Sequence, residues 1–138
     1  MSGNIREYNQ QVITEFRANG GKVGGQLANA SLLLLTTTGA KSGQPRVAPL
    51  GYWEEDGRYI VLASMMGAPH HPDWYHNLIA HPDVTVEVGD ERFPARAHAA
   101  TGPERERLVA FLGAKTPLLA DHQGRTTRQI PIVVVERA

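Results

Sequence analysis

Arg46-Val47-Ala48-Pro49-Leu50-Gly51-Tyr52-Trp53-Glu54-Glu55-Asp56-Gly57-Arg58-Tyr59-Ile60-Val61-Leu62-Ala63-Ser64 reads as strand, turn and strand. Arg46 to Trp53 and Arg58 to Ser64 carry the β-forming residues. Glu54 to Gly57 separates them and ends in Asp56-Gly57, a pair that accepts the left-handed backbone of a tight hairpin. A second hairpin lies downstream, where Val84 to Val88 alternates, Gly89-Asp90 turns the chain and Glu91 to Ala99 returns it. Pro94 predicts an edge or a bulge for that last strand, because proline brings no N–H to a ladder. The apolar runs Ser31 to Thr37 and Ile130 to Glu136 bring the total to about six strands, which argues for a small antiparallel barrel with helices attached.

Three segments have helical signals. Ile5, Tyr8, Val12, Ile13 and Phe16 recur at three and four residues within Asn4 to Asn19, before Gly20-Gly21. A short helix follows Pro72-Asp73 and ends before Pro82, and Thr101-Gly102-Pro103-Glu104 is a capping-box pattern opening a helix to about Leu112, with Gly113 as its stop. Lys115 to Gln129 shows no period.

At 138 residues, with 41% hydrophobic and 20% charged side chains, the chain has the size and balance of one globular domain. Fourteen basic residues cancel fourteen acidic ones, so no global field draws it to nucleic acid, and anion recognition has to be local. There is no cysteine, hence no disulfide and no thiol chemistry. No apolar run is long enough for a membrane span, which points to a cytoplasmic protein and leaves peripheral membrane contact open.

Local cations sit in Thr36-Thr37-Thr38-Gly39-Ala40-Lys41-Ser42-Gly43-Gln44-Pro45-Arg46. Two glycines permit tight turning and exposed N–H groups, hydroxyls add donors, and Lys41 and Arg46 add charge, so the loop reads as an anion cradle. The plainer alternative is a connector whose cations face solvent. It is neither a Walker A loop nor a dinucleotide fingerprint.

Other chemistry fares worse. His70, His71, His76, His81, His98 and His122 form no metal-ligand spacing, so no metal is expected and the histidines read as surface or loop residues. Ser42 and Ser64 lack a Gly-x-Ser-x-Gly elbow, and the acidic clusters fall in a turn and on a solvated helix face. Trp74 and Tyr75, at the start of the short helix beside Asn77, project about 100° apart, so one can pack while the other meets a ligand.

The chain resembles the deazaflavin (coenzyme F420)-dependent nitroreductase family, which belongs to the split β-barrel flavin-reductase-like enzymes. The resemblance runs from about Leu32 to Val135. It rests on Leu34-Leu35-Thr36-Thr37-Thr38-Gly39, Lys41 to Val47 with Pro49-Leu50, Ala63-Ser64 with Gly67-Ala68, Pro72-Asp73-Trp74-Tyr75-His76-Asn77-Leu78, and Arg128-Gln129-Ile130-Pro131-Ile132-Val133. It implies an α+β split antiparallel barrel with an N-terminal helix and two further helices. Residues 1–30 would be the N-terminal helix and glycine-rich loop, and 31–138 the coenzyme-binding barrel, in a single domain overall.

The resemblance also implies a cytoplasmic oxidoreductase that passes hydride from reduced F420 to a small-molecule acceptor, a quinone, enone or nitroaromatic. Lys41, Ser42 and Arg46 would grip the phosphate and polyglutamate tail, and Val47, Ala48, Pro49, Leu50 and Gly51 would lie along the ring. Leu62, Ala63, Ser64 and Met65 would line its other edge, with Trp74, Tyr75 and Asn77 completing the pocket and Ser64 as the candidate to orient the acceptor or relay a proton. Ala40, Met65 and His70 stand where the family often has cations, which predicts a weaker or more salt-sensitive hold on the tail. Thr116 to His122 lacks the lid tyrosines of the nitroimidazole-activating member, which predicts a different acceptor; with Asn19 to Asn29 this stretch would form the lid. An FMN enzyme of the same architecture and a non-catalytic deazaflavin-binding protein are the rival readings.

Overall fold

The computed structural model describes residues 2–21, 31–64 and 67–138. Met65, the side chain of Ile5 and all of the expected Asn19–Asn29 lid beyond Gly21 lie outside the described residues. In chain order the elements are α1 (Ser2–Ala18), β1 (Leu32–Thr38), β2 (Pro45–Gly51), β3 (Trp53–Glu55), β4 (Arg58–Leu62), α2 (Asp73–Ala80), β5 (Asp83–Val88), β6 (Glu91–Ala99), α3 (Gly102–Lys115), α4 (Leu118–Gln123) and β7 (Ile132–Arg137).

All strand pairs are antiparallel, in the order β2-β1-β5-β6-β7-β4-β3. The two edge strands, β2 and β3, are consecutive in the chain with only Tyr52 between them. A sheet whose opposite edges are joined by one residue cannot lie flat, so it curls into a half-barrel. This is the α+β barrel expected, with corrections. It has seven strands, and the run Arg46 to Trp53 is broken: β2 pairs with β1, and only Trp53 to Glu55 pairs with β4. The Asp56-Gly57 turn forms as read, with φ of 53° and 76°.

Pro94 does not mark an edge, since β6 lies between β5 and β7. Its carbonyl accepts the Ala138 N–H at 3.0 Å, so the missing N–H on the same side faces a point beyond the end of β7, and no bond to β5 is lost. Pro45 and Pro49 are accommodated because β2 has a single neighbour.

Alternation sorts the core into layers. Leu33 and Leu35 of β1, Val61, Val86, Phe93, Val133 and Val135 fill the barrel interior with Leu78 of α2. Leu34, on the opposite face of β1, packs under Val12, Ile13 and Phe16 of α1. Ile60, Ile132 and Val134 face outward against Leu108 and Leu112 of α3 and Leu119 of α4. Strand β7 is therefore buried on both faces, which accounts for its unbroken run of branched residues.

The helical expectations need three changes. The capping box does not form: Thr101 caps α3 without a side-chain bond, and the Glu104 carboxylate turns to His98 Nε2 at 2.8 Å and Arg58 at 3.4 Å. Gly113 does not stop α3, which runs to Lys115. Helix α4 occupies part of Lys115 to Gln129, making three helices after α1; six residues are too few to display a period.

Candidate active site

The loop between β1 and β2 closes on itself. Gly39 N–H donates to the Gln44 carbonyl at 2.8 Å and Gly43 N–H to the Gly39 carbonyl at 2.9 Å, with Gly43 at a φ of 70°. Ser42 Oγ accepts the Gln44 N–H at 3.2 Å, and a Cβ added to Gly39 would collide with that oxygen. A tight turn of this kind leaves the long side chains at its rim nowhere to go but outward or into the neighbouring cleft.

Helix α2 fixes the loop through Asn77. The buried Asn77 amide accepts the Ala40 N–H at 2.9 Å and donates to Thr37 Oγ1 at 3.2 Å, so its oxygen and nitrogen are assigned by their partners. Asn77 thus ties the β1–β2 loop to β1 and α2, using one N–H and one lone pair of its amide.

A cleft of about 730 Å³ opens between loop and helix. It gathers Lys41, Ser42, Arg46, Val47, Ala48, Trp74 and Asn77 from the expected site and adds Asn9, Asp73 and His76. Pro49, Leu50, Gly51, Ala63, Ser64 and Tyr75 are not in its lining. Lys41 and Arg46 are exposed, and neither has an ion pair or side-chain hydrogen bond among the described residues. Two cations without an ion pair among the described residues, in a cleft also lined by Val47, Ala48 and Trp74, suit a ligand with an anionic arm and a flat ring. The residues present therefore fit coenzyme F420.

Ser64 belongs to a second cluster that sequence reasoning did not assemble. Its buried hydroxyl lies 2.8 Å from Nδ1 of His122, a residue of α4 read from the sequence as surface or loop but in fact buried. Arg128 spans the same segment: Nη2 donates to the Ser64 carbonyl at 2.7 Å, Nη1 to Ala63 at 3.1 Å and Nε to Ala68 at 2.8 Å. Nη1 also meets His71 Nδ1 at 2.8 Å, and the His71 ring lies 4.7 Å from Tyr75 and 5.7 Å from His76. The clamp thereby connects the Ser64 segment to α2, whose His76 lines the cleft. Pairs 57 to 65 residues apart leave no trace in local periodicity, and the one available signal was the arginine inside Arg128-Gln129-Ile130-Pro131.

Burial holds His122 below the usual imidazole range, with Arg125 adding to the effect and Asp121 opposing it. His71 is lowered too, by burial first and then by Arg128 and His76. Among the described residues no three His, Cys, Asp or Glu side chains are placed to share a metal ion, and no helix is long and apolar enough to cross a membrane.

The family model for F420H(2)-dependent quinone reductase matches residues 8–137. An F420H(2)-dependent quinone reductase of Mycobacterium tuberculosis is 39% identical over 129 residues, covering 88% of this chain and 85% of that protein. Among solved structures, an F420-H2 dependent reductase (FDR-A) is 43% identical with a TM-score of 0.69, covering 77% of this chain and 94% of its own. A second, described as a domain-swapped dimer, is 38% identical with a TM-score of 0.71 and covers 98% of both chains. With nearly the whole chain matched, the protein belongs to the F420H(2)-dependent quinone reductase family.

Proposed function

We propose that the protein is a cytoplasmic enzyme that reduces a quinone with coenzyme F420H2. The observation that carries the site assignment is the pair of cations, Lys41 on the loop anchored by Asn77 and Arg46 at the start of β2, which share one cleft and have no ion pair among the described residues. Reduced F420 supplies the hydride when bound. Lys41 Nζ and the Arg46 guanidinium hold its anionic tail, the guanidinium by paired N–H groups and the ammonium as a point charge. Val47, Ala48 and Trp74 offer the ring a flat apolar surface that excludes water, and Ser64 offers its hydroxyl to the acceptor.

The test is titration with oxidised F420, followed by the fluorescence of Trp53 and Trp74, against FMN as control. Micromolar or tighter binding of F420, weak binding of FMN, and a loss of at least about tenfold in F420 affinity in the folded Lys41→Ala/Arg46→Ala variant are expected. Unchanged affinity in that variant would remove the cradle from the site. Reduction of a water-soluble benzoquinone by F420H2 then tests the reaction.

A further inference from the structure

Ser64 is more tightly determined than a strand-end serine needs to be. Left to itself, a serine there bonds its own backbone. Here its carbonyl accepts two N–H bonds, from Arg128 Nη2 at 2.7 Å and Gly67 N at 2.9 Å, while its hydroxyl goes to a ring on another element, 58 residues away. Gly67 seals the contact. At a φ of 86° its Cα faces the His122 carbonyl so closely that a Cβ would lie 2.8 Å from that oxygen. Helix α4 is in turn tied down by Gln123, which donates to the Arg128 carbonyl at 2.6 Å and accepts the Ile130 N–H at 2.9 Å.

We propose that His122 is a positioning residue for quinone reduction: its Nδ1–H donates to Ser64 Oγ and so turns the Ser64 O–H away from the ring and toward the acceptor oxygen. This rests on the function proposed above. Hydride arriving at a quinone leaves negative charge on a carbonyl oxygen, and a fixed hydroxyl donor aimed at that oxygen stabilises the charge where it forms. The proton that completes the hydroquinone comes from solvent, so His122 neither gains nor loses one. A neutral ring carries one N–H, and burial among Ser64, Gly67 and α4 favours that neutral form. The tautomer is thus the specific content of the inference. Were Nδ1 bare, the Ser64 hydroxyl would be consumed by the ring and could not serve the acceptor.

Two measurements decide it. In the protein without ligand, ¹⁵N NMR of the imidazoles should find His122 protonated at Nδ1, with that signal shifted in Ser64→Ala. A bare Nδ1 overturns the proposal. In turnover with F420H2 and a benzoquinone, His122→Phe should lower kcat about tenfold without changing the KM for F420H2, and His122→Asn, which keeps an N–H at the position of Nδ1, should recover most of the loss. Adding His122→Phe to Ser64→Ala should cost nothing further; full additivity would show that His122 does not act through Ser64. Should His122→Phe fail to fold, the imidazole signal and the His122→Asn kinetics still decide the matter. A wild-type protein that binds no F420 sinks the proposed function, whereas an active wild type with an unaffected His122→Phe sinks only this role.

Discussion

Asn77 Oδ1 accepts the Ala40 N–H at 2.9 Å, and through that bond helix α2 sets the position of the loop that carries Lys41 and leads into Arg46 of β2. Truncation to Ala strands the Ala40 N–H and the Thr37 hydroxyl, both partnered by this one side chain. Asn77→Ala should lose about 1 to 3 kcal/mol of stability by urea unfolding. Its F420 affinity should fall as well, because the loop that carries Lys41 loses its anchor to α2. A variant as stable as wild type that binds F420 normally would show the loop to be self-supporting.

Lys41 and Arg46 are solvent-exposed, so their grip on a polyanion is open to screening. Raising ionic strength from about 0.05 M to about 0.5 M shortens the Debye length to a few ångströms and should weaken F420 binding about tenfold. The same titration on Lys41→Ala/Arg46→Ala should be nearly flat in salt. Equal salt slopes for the two proteins would place the tail elsewhere.

Gly67 and Gly57 separate two costs of replacing glycine. Both have positive φ, 86° and 76°, but a Cβ at Gly57 meets nothing within 4 Å, whereas at Gly67 it would lie 2.6 Å from Arg125 Cβ and 2.8 Å from the His122 carbonyl. Gly57→Ala should cost about 1 kcal/mol, the backbone share alone. Gly67→Ala should cost about 2 kcal/mol more, because it pushes α4 off the Ser64 segment. Matching thermal midpoints for the two variants would contradict that packing.

What the sequence disclosed follows from how locally each feature is encoded. The β5–β6 hairpin was legible because Val84, Val86, Phe93 and Ala95 alternate toward one face and Gly89 marks the turn between Val88 and Glu91. The β2–β3 break was not, since the pairing of Val47 with Thr36 and of Trp53 with Ile60 is decided by which distant strand each meets. The β1–β2 connection was readable as a tight turn from its glycines and hydroxyls, with Gly43 at a φ of 70°. The Ser64–His122 contact was not, because it depends on α4 folding back over the barrel, and α4 is too short to announce itself.

His71 and His122 give stability a pH dependence whose sign can be worked out. Burial comes first for both in lowering the folded-state pKa from the ordinary 6.5, with Arg128 and His76 reinforcing it at His71, and Arg125 reinforcing it and Asp121 opposing it at His122. Between 6.5 and those lower values the unfolded chain binds more protons than the folded one, so stability rises with pH across that interval. The contribution is whole above pH 6.5 and is lost as pH falls below it through the folded values. Protonation would also break the geometry, because His71 Nδ1 accepts from Arg128 and would become a donor facing a donor. Urea midpoints should therefore drop from about pH 7.5 to about pH 5.5 in the wild type, and drop less in His122→Asn, which removes one of these two rings. Parallel midpoints for the two proteins across that range would mean that the His122 ring titrates alike in the folded and unfolded chain.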